Sequence, residues 1–223
     1  MKQVLLFFSL VIILTVISAF SFQQKKKVIF FGDSITQAGV GPTGYITVLQ
    51  QLLAANGRDK SFELIGAGIG GNKVYDLYLR LEDDVLSKKP DLVFIYVGIN
   101  DVWHKRSHGT GTDADKFEKF YNKLIDKIQA AGAKVVICTP TVVGEKKDYV
   151  NELDGDLNKY AEIIRGIAKN KNVELIDLRK ATVAYIYTHN PEDKAKDILT
   201  TDGVHMNETG NKFLADQFLP FIK

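Results

Sequence analysis

The chain has 223 residues, enough for one domain with a full core. Its 29 basic and 27 acidic residues leave a formal net charge of +2, which excludes the basic footprint of a nucleic-acid-binding protein. Hydrophobic content of 45% and charged content of 25% exclude a disordered chain. Residues 1–22 stand apart. Met1-Lys2 precedes VLLFFSLVIILTVISAF, an apolar run followed by Ser21. This is the pattern of a secretory signal peptide, with an uncleaved N-terminal membrane anchor as the alternative. Either reading makes residues 23–223 an exported domain, touching a membrane only through 1–22. The single cysteine, Cys138, lies in an apolar run and reads as a buried hydrophobe.

From residue 27 onward, short apolar runs alternate with helical patterns. Val28-Ile29-Phe30-Phe31 stops at Gly32 and reads as a buried strand. Gly32-Asp33-Ser34 reads as a tight turn that holds a hydroxyl outside any helix, and helical spacing resumes over Tyr45–Ala55. A second strand, Phe62–Ile65, runs into the glycine-rich segment Gly66–Asn72, followed by a helix over Lys73–Leu86. A third strand, Leu92–Val97, ends in Gly98-Ile99-Asn100-Asp101. Asp113–Ala131 is helical and Lys134–Cys138 is a fourth strand. Leu157–Lys169 is a helix and Val173–Ile176 a fifth strand. Residues 179–201 show no clear period. Residues 199–205 read as a loop, and Glu208–Phe218 as a last helix. Five alternations of strand and helix call for a parallel sheet covered on both faces. The expected fold is α/β: a three-layer α/β/α sandwich with five parallel strands in flavodoxin-like order.

In such a sheet the turns after the first three strands share the carboxyl edge, where ligands bind. Ser34, Gly71 and Asn100 fall there. Asp202 and His205 are three apart, a spacing at which Asp can hold His in the tautomer that faces a hydroxyl. Serine needs such a base to act as a nucleophile. The N–H groups of Ser34 and Gly71 and the amide of Asn100 are candidate oxyanion donors. Asp33 is a candidate substrate contact or, alternatively, a turn cap. Trp103 is a candidate wall for a sugar ring, the alternative being core or lid packing. His104 and His108 lack carboxylate or thiol partners, so a rim role outweighs a metal role. Tyr149 and Asn151 are candidates for a second rim. Gly66-Ala67-Gly68-Ile69-Gly70-Gly71 fits the dinucleotide pattern, but no acidic residue follows at the right place.

Four of these blocks together resemble the GDSL, or SGNH, hydrolases. Gly32-Asp33-Ser34-Ile35-Thr36 is similar to their first block. Gly71 falls in the second, Gly98-x-Asn100-Asp101 matches the third, and Asp202-x-x-His205 the last. The resemblance spans about residues 27–220. It implies Ser34 as nucleophile, His205 as base and Asp202 as its orienter. It also implies Gly71 and Asn100 as oxyanion donors, an SGNH-type fold, and ester hydrolysis without a metal or other cofactor. Ile35 stands where Leu is usual, Gly66 where Asn is frequent, and Met206 where Pro often follows the His.

The expectation is therefore an exported serine esterase that removes a short acyl group, acetyl first, from a carbohydrate or other small ester through an acyl-enzyme. A lysophospholipase, lipid esterase or thioesterase is the alternative, and a non-catalytic carbohydrate-binding module the distant one.

Overall fold

Five parallel strands form one sheet in the order β2-β1-β3-β4-β5 in a computed structural model that describes residues 24–223. The strands are β1 (Lys26–Gly32), β2 (Phe62–Gly68), β3 (Leu92–Tyr96), β4 (Lys134–Cys138) and β5 (Glu174–Ile176). The expected α/β/α sandwich is present, with helices on both faces. The leader or anchor expected at 1–22 lies outside the described residues. Among the described residues, no helix is long and apolar enough to cross a membrane.

The strands read as continuous apolar runs because both faces are buried. Every residue of β3 is buried, as are Val28 to Gly32 of β1. Strand β2 continues past Ile65 through Gly66-Ala67-Gly68, pairing Gly32 with Gly68. A Cβ at Gly68 would collide with the Gln37 amide and the Asp33 carbonyl. This glycine therefore serves close packing of the edge strand under the Ser34 turn, and the dinucleotide pattern has a structural origin.

The helices are α1 (Ser34–Ala38), α2 (Tyr45–Ala55), α3 (Val74–Asp84), α4 (Ile99–Ser107), α5 (Ala114–Ala130), α6 (Asp154–Lys171), α7 (Leu178–His189) and α8 (Glu208–Phe218). Helices α2 and α8 pack together, while α3, α5 and α6 form a row. Helix α7 occupies much of the stretch without clear period. Its buried side carries Leu178 and Ile186 but also Arg179 and Thr182, which interrupt the apolar stripe. Arg179 donates to Asp154 Oδ1 (2.6 Å), Asn158 Oδ1 (2.8 Å) and the Thr141 carbonyl (3.0 Å). One buried guanidinium thus joins α7, α6 and the loop after β4, with its donors satisfied.

The aromatic residues of β1, β3, α2 and α8 join the last helix to the first strand. Phe30 stacks on Phe94 at 4.9 Å, and Phe218 meets Phe30 edge-on at 5.6 Å and Phe94 at 5.1 Å. Tyr45 stacks on Phe218 at 5.1 Å. All four are buried. This cluster seats α8, and with it the loop carrying Asp202 and His205, against the strand that delivers Ser34. Replacing Phe218 by Ala should lower unfolding free energy by about 3–5 kcal/mol, because the cavity lies between rigid strands and cannot collapse. Urea unfolding monitored by circular dichroism measures it. A loss below about 1 kcal/mol would mean that α8 is not held by this cluster.

Candidate active site

Strand β1 ends at Gly32, and Ser34 opens α1 immediately afterward. The serine is thus the first residue of a short helix rather than part of a bare turn. Asp33 is the reason: its Oδ1 accepts the Ile35 N–H at 3.0 Å and caps that helix. Asp33 is 2% exposed, so the substrate contact expected of it is corrected in favour of the cap. Its carboxylate is used inside the turn that presents Ser34.

Ser34 Oγ lies 2.9 Å from His205 Nε2, and His205 Nδ1 lies 2.7 Å from Asp202 Oδ2. With Nδ1–H donated to the carboxylate, Nε2 is free to accept the Ser34 hydroxyl. The other oxygen of Asp202 accepts the N–H groups of Val204 (2.9 Å) and His205 (2.7 Å). The three-residue spacing therefore works through an Asp-capped loop. Burial opposes the Asp202 charge. The His205 ring and the two backbone N–H groups outweigh it and hold the carboxyl below the usual range.

A residue that carried no motif fixes this loop. Glu145 is fully buried, and its carboxylate accepts the N–H groups of Ile198 (2.8 Å), Leu199 (2.7 Å) and Thr200 (2.8 Å). Thr200 then bridges to Met206, and Thr201 N–H donates to the His205 carbonyl at 2.8 Å. The only available signal was an acidic residue beside a glycine after β4, which is too common to single out.

The opposite side of Ser34 comes from the ends of β2 and β3. A methyl group on Gly70 would sit 4.0 Å from Ser34 Cβ, so this loop lies against the serine. Gly70 N–H donates to Gln37 Oε1 at 2.9 Å. Gly71 has φ +75° and Gly98 has φ +132°, conformations that favour glycine. Gly98 precedes α4, which begins Ile99-Asn100. Asn100 is buried, and its Nδ2 donates to the Asn72 carbonyl at 3.1 Å.

Trp103 and His104 follow on α4, which continues through Ser107, so this rim is largely helical. The Trp103 ring meets His205 edge-on with centroids 6.4 Å apart. A methyl group on Gly71 would sit 3.5 Å from His104 Cε1. Burial, then the charges of Lys73 and His108, push the His104 imidazole below its ordinary pKa, which favours a neutral ring. Of the second expected rim, Tyr149 is exposed and lines a groove with Arg179 and Tyr187. The Asn151 amide is engaged by Lys146 N–H (3.1 Å) and Asp154 Oδ2 (2.8 Å), which makes it a loop brace.

Asp101, next to Asn100, is fully buried and receives the Val74 N–H at 3.1 Å. Burial raises its pKa to about 7, and that of Asp33 to about 6, more than their hydrogen bonds lower them. A raised native pKa means that the folded state binds the proton more tightly than the unfolded chain. Stability from such a group is present below about pH 4 and is lost as pH rises through its native pKa. Asp101→Asn lacks that loss. Its melting temperature relative to wild type should therefore increase between about pH 5 and about pH 8 in calorimetry. A difference that is flat over this range would contradict a proton-binding Asp101.

Residues 30–213 match the profile of the GDSL-like Lipase/Acylhydrolase family. An acetylxylan esterase of Geobacillus stearothermophilus is 29% identical over 213 residues, covering 87% of this chain and 92% of that protein. A GDSL esterase/lipase of Arabidopsis thaliana is 25% identical over 216 residues, covering 89% and 79%. Among solved structures, the acetyl xylan esterase AlAXEase superposes with a TM-score of 0.87 at 60% identity, covering 88% of this chain and 100% of that one. Two structures of the Geobacillus enzyme are described as catalytic mutants, one with a serine and one with a histidine changed to alanine. By its sequence, its sheet order and its structural neighbours, the chain belongs to the GDSL-like lipase/acylhydrolase family and is a carboxylic ester hydrolase.

Proposed function

We propose that this chain is an exported serine esterase that removes acetyl groups from a carbohydrate, acetylated xylan or its oligosaccharides first. The observation that carries the acetyl and glycan reading is the 60% identity, over the whole of that chain, to an acetyl xylan esterase. The apolar segment within 1–22 supports export.

In this reading Ser34 Oγ attacks the ester carbonyl carbon while His205 Nε2 takes its proton. Asp202 holds Nδ1–H and stabilises the imidazolium that forms. The oxyanion is received by the N–H groups of Ser34 and Gly71 and by Asn100, whose second amide N–H is not used by Asn72. The carbon–oxygen bond to the sugar breaks, and His205 returns its proton to the departing hydroxyl. Water then attacks the acetyl-Ser34 ester, His205 again taking and returning a proton, and acetate leaves. His104 lies beside Gly71, 3.5 Å from where a methyl group on that glycine would sit. Trp103, beside His205, offers an apolar face to a sugar ring.

Ser34→Ala and His205→Ala should each reduce turnover to a residual level, because members of a triad act as a unit. Their thermal midpoints should stay near wild type. Activity should fall toward acid as the base gains a proton. Near-normal turnover in Ser34→Ala would place the nucleophile elsewhere. In a chain-length series, acetyl esters should be cleaved faster than butyryl and much faster than octanoyl esters. Acetylated xylooligosaccharides should exceed an aryl acetate in kcat/KM, since remote sugar contacts can act in the transition state. Rates that climb to eight carbons, with no acetate from any glycan, would favour a lipid esterase, because each buried methylene adds about 0.8 kcal/mol of binding.

A further inference from the structure

Arg80 lies on α3, eight residues beyond Asn72 and outside every block of the family resemblance. Its side chain is 14% exposed, yet it is tied to three segments besides its own helix. Nη2 donates to the Gly32 carbonyl at 2.7 Å and the Ala67 carbonyl at 3.0 Å. Nε donates to Asn72 Oδ1 at 2.7 Å, and Nη1 to Asp84 Oδ2 at 2.6 Å. The guanidinium carbon sits 4.5 Å from the centroid of the Phe31 ring.

The partners follow a pattern. Gly32 is the last residue of β1, two before Ser34. Ala67 is near the end of β2, four before Gly71. Asn72 follows Gly71, and its carbonyl receives Asn100 Nδ2 at 3.1 Å. A single planar group therefore touches the two segments that bear the Ser34 and Gly71 N–H groups, and reaches Asn100 through one intervening residue. The Ile69 N–H also donates to the Gly32 carbonyl, but at 3.3 Å this long bond only loosely sets the spacing of the loops after β1 and β2. A guanidinium can set that spacing because its donors lie in a fixed fork. The ammonium of a lysine cannot serve three acceptors in one plane. The ion pair with Asp84 and the Phe31 face hold the fork in one orientation.

We propose that Arg80 is the positioning residue of the oxyanion hole, fixing the donors from the ends of β1, β2 and β3 at the separation that the tetrahedral intermediate requires. It touches no substrate. The inference rests on the oxyanion roles proposed above for Ser34, Gly71 and Asn100.

The test is a set of double-mutant cycles on an acetyl ester, with calorimetry to verify folding. Removal of an oxyanion donor lowers kcat by about a hundred- to a thousandfold, so Arg80→Met, which displaces donors without deleting them, should lower kcat at least about tenfold with KM within about twofold. In an Asn100→Ala background the same change should lower kcat less than about threefold, because part of what it disturbs is already gone. Arg80→Lys should fall between Arg80→Met and wild type. Equal losses in both backgrounds, a loss confined to KM, or an unchanged kcat in Arg80→Met would overturn the proposal. Should Arg80→Met not fold, Asn72→Ala removes only the link toward Asn100 and leaves the guanidinium its carbonyls. It should lower kcat severalfold and non-additively with Asn100→Ala, and an additive or absent effect would overturn the proposal equally. Asn100→Ala alone separates the two readings. A normal kcat there rejects the oxyanion assignment itself, whereas a lowered kcat there beside a normal Arg80→Met rejects only the role of Arg80.

Discussion

The hydrogen bond between Ser34 Oγ and His205 Nε2 joins residues 171 apart in sequence across 2.9 Å, and most of the architecture can be understood as what makes that contact possible. One end hangs from the first strand, the other from the loop before the last helix. A parallel sheet delivers the first end, since every strand stops at the same edge. The aromatic cluster of Phe30, Tyr45, Phe94 and Phe218 delivers the second by seating α8 on the strand that leads to Ser34. Neither would suffice if the loop before His205 were loose. The buried Glu145 carboxylate and the Asp202 turn remove that freedom, using backbone N–H groups that the loop must satisfy in any case.

Charge is distributed unevenly around this contact. Asp202, held by His205 and two N–H groups, stays ionised where it can support an imidazolium. Asp33 and Asp101 are buried with few compensating donors, and their native pKa values rise. The chain thus keeps two carboxyls beside the site in places that reduce stability near neutral pH. Each nevertheless braces a turn at the candidate site: Asp33 the start of α1, and Asp101 the first N–H of α3 behind Gly71 and Asn72. Proteins that sit just above their stability threshold tolerate such arrangements where geometry is needed.

Much of this could be read in advance. The strands were legible because burial on both faces leaves nearly uninterrupted apolar runs, and the grouping of Ser34, Gly71, Asn100, Asp202 and His205 in one place because the blocks that carry them stand in the family's order. What escaped shares a different physical character. Helix α7 buries Arg179 and Thr182 beside Leu178 and Ile186, so its apolar stripe is interrupted. Ser34 begins a helix because Asp33 caps it, and GDS reads as a turn until that cap is seen. Trp103 belongs to α4 because Gly98, at positive φ, lets a helix start directly after β3. Glu145 and Arg80 act through backbone groups far away in sequence, and no local pattern announces such a partner.

The most direct measurement is a search for the acetyl-enzyme. The protein would be mixed with an excess of an acetylated xylooligosaccharide, quenched in acid during turnover, digested and examined by mass spectrometry. The account predicts one acetyl group on the peptide containing Ser34, absent from the same experiment with Ser34→Ala and absent without substrate. Acetyl found on another residue, with Ser34 unmodified throughout turnover, would contradict it.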